Sequence, residues 1–139
     1  MFIINAFKHF KTITKHRHMV IYHSYKAGIL FQASNFDDDI NQARFPIKSF
    51  FVGIENGLLV LDYFNYSDKR IYDVPSVFLD INEIKILLNG SNIKVYLNDD
   101  LKIDTNVPYL SGFGRIGFYK NKESNIELLG LTYKEAKDE

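Results

Sequence analysis

Four histidines near the start of the chain are the first candidates for chemistry: His9, His16, His18 and His23. Two histidines on one helix hold a metal when they are four residues apart. His9, His16 and His23 are seven apart, which on a helix separates neighbours by about 10 Å, whereas a metal needs ligand atoms at about 2 Å. His16 and His18 would share a strand face, but residues 1–36 contain no carboxylate to help them. The sequence predicts no metal site and no other cofactor.

Carboxylates are the second candidates, because most glycosidases use two of them, about 5 Å apart in retaining enzymes. Asp37, Asp38 and Asp39 fall in a predicted loop, and Asp99-Asp100 in a predicted turn. No two acids alternate on one predicted strand, and every histidine lies in the first 23 residues, which disfavours a Ser-His-Asp arrangement. The sequence assigns no catalytic residue and favours a protein without catalysis of its own.

Sugar binding needs aromatic faces together with amides, carboxylates and guanidinium groups, because each hydroxyl both donates and accepts hydrogen bonds. Such side chains gather in and beside the polar stretch 34–46, and on one face of a predicted hairpin that also carries Phe51. The candidate carbohydrate-binding residues are Gln32, Asn35, Asp37, Asp38, Gln42, Arg44, Asp62 and Phe64. The absence of tryptophan weakens this assignment.

Short apolar stretches with period-two alternation predict the strands that position these residues. Asn56-Gly57 is a strong hairpin signal and would place Ile54 opposite Leu59. Residues 89–92 predict a second hairpin, which places Val95 opposite Ile86. With a three-residue loop after it, Leu101 and Ile103 would join the same apolar face. The other predicted strands cover residues 27–33, 114–120 and 126–134. About eight strands at this spacing predict an antiparallel sandwich or barrel.

The first 36 residues differ from the rest in charge, since they carry five bases and no acid, whereas residues 37–139 carry twelve bases and seventeen acids. Ala6, Phe10, Ile13 and Val20 follow helical spacing, which predicts a helix from about Asn5 to about Ser24. We therefore divide the chain into an N-terminal helical segment, residues 1–26, and a β-sandwich, residues 27–139. The segment is expected to pack loosely against the sandwich.

Composition bounds the classes of function. A chain of 139 residues is one domain by default. The lack of cysteine excludes disulfides and thiolate chemistry. Zero formal net charge argues against a general nucleic-acid binder. The apolar stretches are too short to predict a membrane-spanning helix, and Phe2–Phe7 is too short for a signal peptide.

Four ordered motifs resemble the concanavalin A-like lectin/glucanase superfamily, in the form appended to bacterial glycoside hydrolases. They are Ala27-Gly28-Ile29-Leu30-Phe31, Phe51-Val52-Gly53-Ile54, Ile93-Lys94-Val95-Tyr96-Leu97-Asn98 and Gly114-Arg115-Ile116-Gly117-Phe118-Tyr119. The resemblance covers roughly residues 27–134. It implies a jelly-roll sandwich, incomplete at its start, and an extracellular carbohydrate-binding accessory domain. The glucanases of the superfamily carry a Glu-x-Asp-x-x-Glu pattern that this sequence lacks.

Residues 1–32 resemble the start of another family, a small phage and bacterial protein of unknown function. The resemblance rests on residues 9–18 (HFKTITKHRH) and on Lys26-Ala27-Gly28-Ile29. That family continues into a His-Asp-x-Ser-Lys motif, where this chain has Asn35-Phe36-Asp37-Asp38-Asp39. The chemistry of that motif is therefore not carried over.

The sequence thus predicts a non-catalytic, lectin-like domain whose partner is a polysaccharide or oligosaccharide, with neither nucleic acid nor membrane as a partner. Two alternatives stay open: a structural or interaction fragment from a gene fusion, and a glycoside hydrolase. A sheet edge left by missing strands would invite a homodimer. The residues do not fix the localisation, although the resemblance suggests an extracellular one.

Overall fold

The structure of the protein is a computed structural model that describes residues 2–12, 26–36, 46–79, 81–108, 110, 114–121, 126–127 and 130–135. Over these residues the regular structure is entirely β. The strands are β1 (Phe2–Thr12), β2 (Lys26–Phe36), β3 (Pro46–Glu55), β4 (Leu58–Asn65), β5 (Asp68–Pro75), β6 (Ile81–Asn89), β7 (Asn92–Leu97), β8 (Asp100–Asn106), β9 (Arg115–Lys120), β10 (Ile126–Glu127) and β11 (Leu131–Glu135).

The strands form two antiparallel sheets. The first has the order β10-β1-β6-β7-β8, and β11 also pairs with β1. The second has the order β5-β4-β3-β2-β9. We call them the six-stranded and the five-stranded sheet. The predicted mainly β antiparallel sandwich is confirmed. Within the described residues, no helix is long and apolar enough to cross a membrane.

One apolar core joins the sheets, because each strand turns every second side chain inward. In the six-stranded sheet, Ile84, Ile86 and Val95 are fully buried, and in the five-stranded sheet Ile29 and Val52 are fully buried. All of them belong to one hydrophobic cluster. The opposite face of the five-stranded sheet is therefore free to carry polar groups, and it holds the candidate site below.

The two predicted hairpins are confirmed in register. Ile54 pairs with Leu59 across the turn at Asn56-Gly57, whose φ angles are 51° and 82°. Positive φ at both turn residues is what a tight hairpin needs, and Asn-Gly supplies it at low cost. In the second hairpin Ile86 pairs with Val95, also as predicted.

The strand after the second hairpin differs from the prediction at Leu101. The turn from β7 to β8 uses two residues, Asn98 and Asp99, both with positive φ, instead of three. The register also shifts after Val95, so Ile103 pairs with Val95 and is buried, whereas Leu101 pairs with Tyr96 and is 48% exposed. A β-bulge changes the face of every residue on one side of it, which alternation alone does not reveal.

The predicted N-terminal helix is not found where the structure describes it. From Asn5 to Thr12 the chain is extended within β1, which pairs with β6 on one side and with β11 and β10 on the other. Ladder hydrogen bonds to two neighbours outweigh a weak helical periodicity. Residues 13–25 lie outside the described part, so the helix stays a prediction there.

Gly28 and Gly53 pair with each other where β2 and β3 pass beneath the ring of Phe51. A Cβ atom added at Gly28 would lie 2.6 Å from the Cα of Gly53 and 2.7 Å from Cε2 of Phe51, and would overlap the carbonyl oxygen of Val52. Real Cβ atoms do not approach backbone this closely. Glycine is therefore required at this crossing by close packing.

We expect Gly28→Ala to lower the free energy of unfolding by about 1–3 kcal/mol, since the backbone of β3 must move away. In thermal unfolding this is a decrease in Tm of roughly 5–10 °C. Gly117→Ala is the matched control, because an added Cβ there meets nothing within 4 Å. Equal Tm values for the two variants would show that the glycine pair does not constrain the sheet.

Candidate functional site

The candidate site lies on the face of the five-stranded sheet that points away from the core, called the outer face below. Alternation places Phe51 and Glu55 of β3 on this face, since Phe50, Val52 and Ile54 point into the core. The pairing of β3 with β4 brings Asp62 opposite Phe51, and the pairing of β4 with β5 brings Arg70 opposite Asp62. Charged groups from three adjacent strands therefore meet on one surface.

Arg70 is the centre of an ion-pair network on the outer face. Its Nε donates to Oδ1 of Asp62, its Nη2 donates to Oε2 of Glu55, and its Nη1 donates to Oδ2 of Asp73 at 3.0 Å. Lys26, on β2, reaches across β3 to donate from Nζ to the other oxygen of Asp62 at 3.4 Å. The planar guanidinium suits this role because its N–H groups point in fixed directions.

Burial divides the network into a covered end and an open end. Asp62 is only 4% exposed, and its two carboxylate oxygens are held by Arg70 and Lys26. The Arg70 side chain is 34% exposed and that of Asp73 is 47% exposed. Solvent, or a ligand in place of solvent, therefore reaches the network from the β5 side.

The pKa of Arg70 reflects the balance of this environment. Partial burial by itself lowers the pKa, but the hydrogen bond and charge of Asp62, together with Asp73 and Glu55, outweigh burial and raise it above its ordinary value. Arginine already ionises at high pH. The positive charge of the network therefore persists at every pH at which a protein domain is ordinarily studied.

The aromatic rings beside the network differ in how deeply they are buried. Phe51 is 4% exposed; its ring meets that of Tyr119 edge-on at 6.2 Å between centroids, and Nζ of Lys26 lies 5.0 Å from its centroid. Phe51 is thus covered and cannot stack on a ligand. Phe64 and Tyr119 are half-buried. These two are the rings on this face that a sugar could contact.

A small cavity opens among these side chains, with a volume of about 60 Å³. It is lined by Lys26, Leu30, Ser49, Phe51, Asp62, Phe64, Asp68 and Tyr119. A cavity of this size has room for a few water molecules and not for a sugar ring. A ligand would lie over the outer face and place only a substituent inside.

Ser49 is the unusual member of this lining. It is 1% exposed, and within the described part of the chain its Oγ has no hydrogen-bond partner. Leaving a buried hydroxyl unpaired costs about 1–3 kcal/mol. A partner supplied by water or by a ligand would recover that free energy.

A larger groove of about 560 Å³ lies at one end of the sandwich, lined by Gly57, Pro75, Ser76, Val77, Leu79, Leu97, Asn98, Asp100 and Lys102. None of the described residues that line it is aromatic. The side-chain amide of Asn98 is already used, because its Oδ1 accepts from the backbone of Glu83 and its Nδ2 donates to Asn82. Despite the groove's greater size, the outer face has the better chemistry for binding a sugar.

Comparisons with solved structures show what this architecture is similar to. The carbohydrate binding module CBM66 from Bacillus subtilis matches with a TM-score of 0.65 and 16% identity, over 96% of this chain and 74% of that one. Sheep galectin-11, in complex with glycerol, matches with a TM-score of 0.60 and 8% identity, over 96% and 89%. The fold is a lectin-like β-sandwich. The comparisons with protein families and with curated proteins give no match.

The sequence-predicted binding residues are distributed unevenly over this fold. Asp62 and Phe64 lie together on the outer face, where they line the small cavity, because both occupy outer positions of β4. Gln32 forms a bulge in β2 with φ of 50°, opposite Ser49. Asn35 is in β2, and its side chain is not described. The remaining candidates, Asp37, Asp38, Gln42 and Arg44, lie outside the described residues.

Sequence reasoning missed Arg70, Lys26, Glu55 and Ser49. Arg70 was missed because β5 was not predicted: its sequence, Asp68–Pro75, mixes charges with only two aliphatic residues and ends in proline. That composition is typical of an edge strand, where charge and proline block further pairing. Strict alternation along β3 would have indicated Ser49 and Glu55.

The described residues hold no group of three histidine, cysteine or acidic side chains that could bind a metal ion. Of the four histidines, His9 lies in β1 and its side chain is not described. His16, His18 and His23 lie outside the described residues.

Proposed function

We propose that the chain is a non-catalytic carbohydrate-binding domain and that its contact surface is the outer face. The single observation that carries this proposal is the open Arg70 network beside the half-buried rings of Phe64 and Tyr119. Carboxylates accept hydrogen bonds from sugar hydroxyls, the guanidinium donates to them, and an aromatic ring packs against the C–H face of a sugar.

The fold supports this reading at the level of architecture. One neighbour is named a carbohydrate binding module, and the other is a galectin in complex with glycerol, a small polyol. The finer assignment, to a concanavalin A-like accessory domain of glycoside hydrolases, is part of the proposal and rests on the sequence motifs. The loop containing Asp38 and Arg44 is proposed as a second part of the contact surface.

The shape of the site favours binding over hydrolysis. A cavity of about 60 Å³ does not enclose a glycosidic bond. Glu55 and Asp62 both accept hydrogen bonds from Arg70, so neither is oriented to donate a proton to a leaving group. Each sugar hydroxyl replaces a hydrogen bond to water with one to the protein, at a net gain of only about 1 kcal/mol. Binding should therefore be weak, with an expected Kd of about 10 µM to 1 mM.

Isothermal titration of the purified chain against a panel of polysaccharides tests the proposal. Phe64→Ala should weaken binding at least tenfold, because it removes the half-buried ring against which a sugar would pack. Arg70→Lys should do the same, because lysine keeps the charge but lacks the planar set of N–H donors. Tyr96→Ala is the matched control, since Tyr96 is a half-buried aromatic residue on the six-stranded sheet.

Replacing Asp38 and Arg44 with alanine should also abolish binding, whereas replacing the four histidines should leave it unchanged. If no polysaccharide binds at millimolar concentration, the domain is the inert structural or interaction fragment. If the chain releases reducing sugar from a bound polysaccharide, the hydrolase alternative is correct.

A further inference from the structure

The charges of the outer face do not balance. Among the residues that the structure describes, four carboxylates lie at its β5 side, from Glu55, Asp62, Asp68 and Asp73, against two cations, Lys26 and Arg70. Both cations are committed to carboxylates, as the ion pairs to Asp62, Glu55 and Asp73 show. The described residues at the β5 side of the outer face therefore present excess negative charge to a ligand.

Asp68 is the carboxylate outside the network. Among the residues that the structure describes, its side chain takes part in no hydrogen bond or ion pair, while the other three carboxylates are held by Arg70. Asp68 pairs with Phe64 across β4 and β5, and it lines the small cavity. An uncompensated acceptor thus stands at the edge of the site.

Ser49 supplies a second, independent observation at this cavity. It pairs with Phe64 on the opposite side from Asp68, so the three residues form one row across β3, β4 and β5. The buried Ser49 Oγ, unpartnered within the described residues, and the Asp68 carboxylate line the same cavity. A group with several N–H donors and a positive charge would satisfy both.

Within the described part of the chain, the other cations of this sheet are too far away or on the wrong face to compensate Asp68. Arg115 belongs to the same row but lies on β9, four strands away, which is about 19 Å at the usual spacing. Charges beyond about 8 Å are largely screened at physiological salt. Lys48 and Lys69 are exposed at the alternate register positions, opposite Asn65 and Tyr63.

From this geometry we propose that the site selects glycans bearing a protonated amine, with the ammonium between Asp68 and Ser49, and discriminates against uronic acids. This inference rests on the proposed function, because it names the sugar class that the same face would take. Solvent access limits the preference, since exposed ion pairs contribute little. We expect a three- to fivefold advantage of the amino sugar over its neutral counterpart at physiological salt, and a larger one at low salt.

The experiment compares four β-1,4-linked oligosaccharides of equal length by isothermal titration: glucose, glucosamine, N-acetylglucosamine and glucuronate oligomers. They are measured at about pH 6, below the ordinary pKa of an aliphatic amine. The free monosaccharides are titrated in parallel and followed by NMR. We expect glucosamine to bind most tightly and glucuronate most weakly, with the acetylated sugar close to the neutral one.

Asp68→Asn is the decisive variant, because it removes the charge and keeps the shape; it should make glucosamine and glucose bind equally, with glucose unchanged. Asp104→Asn, an exposed residue on the six-stranded sheet, is the matched control. The inference is wrong if the glucosamine oligomer binds no more tightly than the glucose oligomer, or if Asp68→Asn does not remove the difference in affinity. Binding of a neutral glycan in that case would still support the proposed function. If no sugar of any class binds, the proposed function fails as well.

Discussion

Val95→Asp is expected to abolish folding. Val95 lies on β7 and is fully buried, between Ile86 on β6 and Ile103 on the edge strand β8. An unpaired carboxylate in that position costs several kcal/mol, a large share of a typical stability of about 5–15 kcal/mol. The variant should show no cooperative thermal transition by circular dichroism and should accumulate as insoluble protein.

Leu101→Asp is the informative control for this prediction. Simple alternation along β8 would place Leu101 beside Ile103 in the core, but the register shift leaves it 48% exposed. We therefore expect Leu101→Asp to remain folded, with Tm lowered by only a few degrees. If Val95→Asp melts like the unmodified protein, or if both variants unfold alike, the register of β7 and β8 is incorrect.

Deletion of residues 1–12 is expected to have a comparably large effect. β1 pairs with β6 along most of its length, and β10 and β11 pair with the opposite edge of β1. Removing β1 therefore separates three strands from each other and leaves β6 as an unpaired edge. The shortened chain should lack a cooperative unfolding transition in thermal or denaturant titrations.

A point variant tests the same feature without shortening the chain. Ile4 pairs with Ile86 on one side and with Tyr133 on the other, so a proline at position 4 removes a backbone N–H from a strand with two neighbours. Ile4→Pro should be strongly destabilised, and Ile4→Val should resemble the unmodified protein. A Tm within a few degrees for the deletion would instead support the loosely packed segment expected from the sequence.

Local signals predicted the centre of the fold. The Asn56-Gly57 turn fixed the pairing of Ile54 with Leu59, and the apolar alternation of β6 and β7 fixed the pairing of Ile86 with Val95. Both hairpins join strands that are adjacent in sequence. Turn type and alternation together therefore determine their register without any long-range information.

Long-range pairing is what the sequence did not reveal. β1 is stabilised by β6 and β11, which follow it by about 80 and 130 residues, so its own residues carry no sign of those partners. β5 looks like a charged loop until its edge position in the sheet is known. Of the residues predicted to bind a sugar, Asp62 and Phe64 could be placed on one face because they alternate on a predicted strand, whereas Arg70 could not be placed without β5.

The position of Arg70 couples the proposed contact surface to the integrity of the sheet edge. Its three bonds join β5, β4 and β3, and β5 is the outermost strand of its sheet. Local unfolding of β5 would break the hydrogen bonds from the Arg70 guanidinium to Asp62 and Glu55 at the same time. Opening of the sheet edge would therefore also disrupt the proposed contact surface. By linkage, a glycan that engages this network must slow hydrogen exchange of the β5 amides. On the proposed function, a bound sugar would therefore hold the edge strand β5 in its paired state.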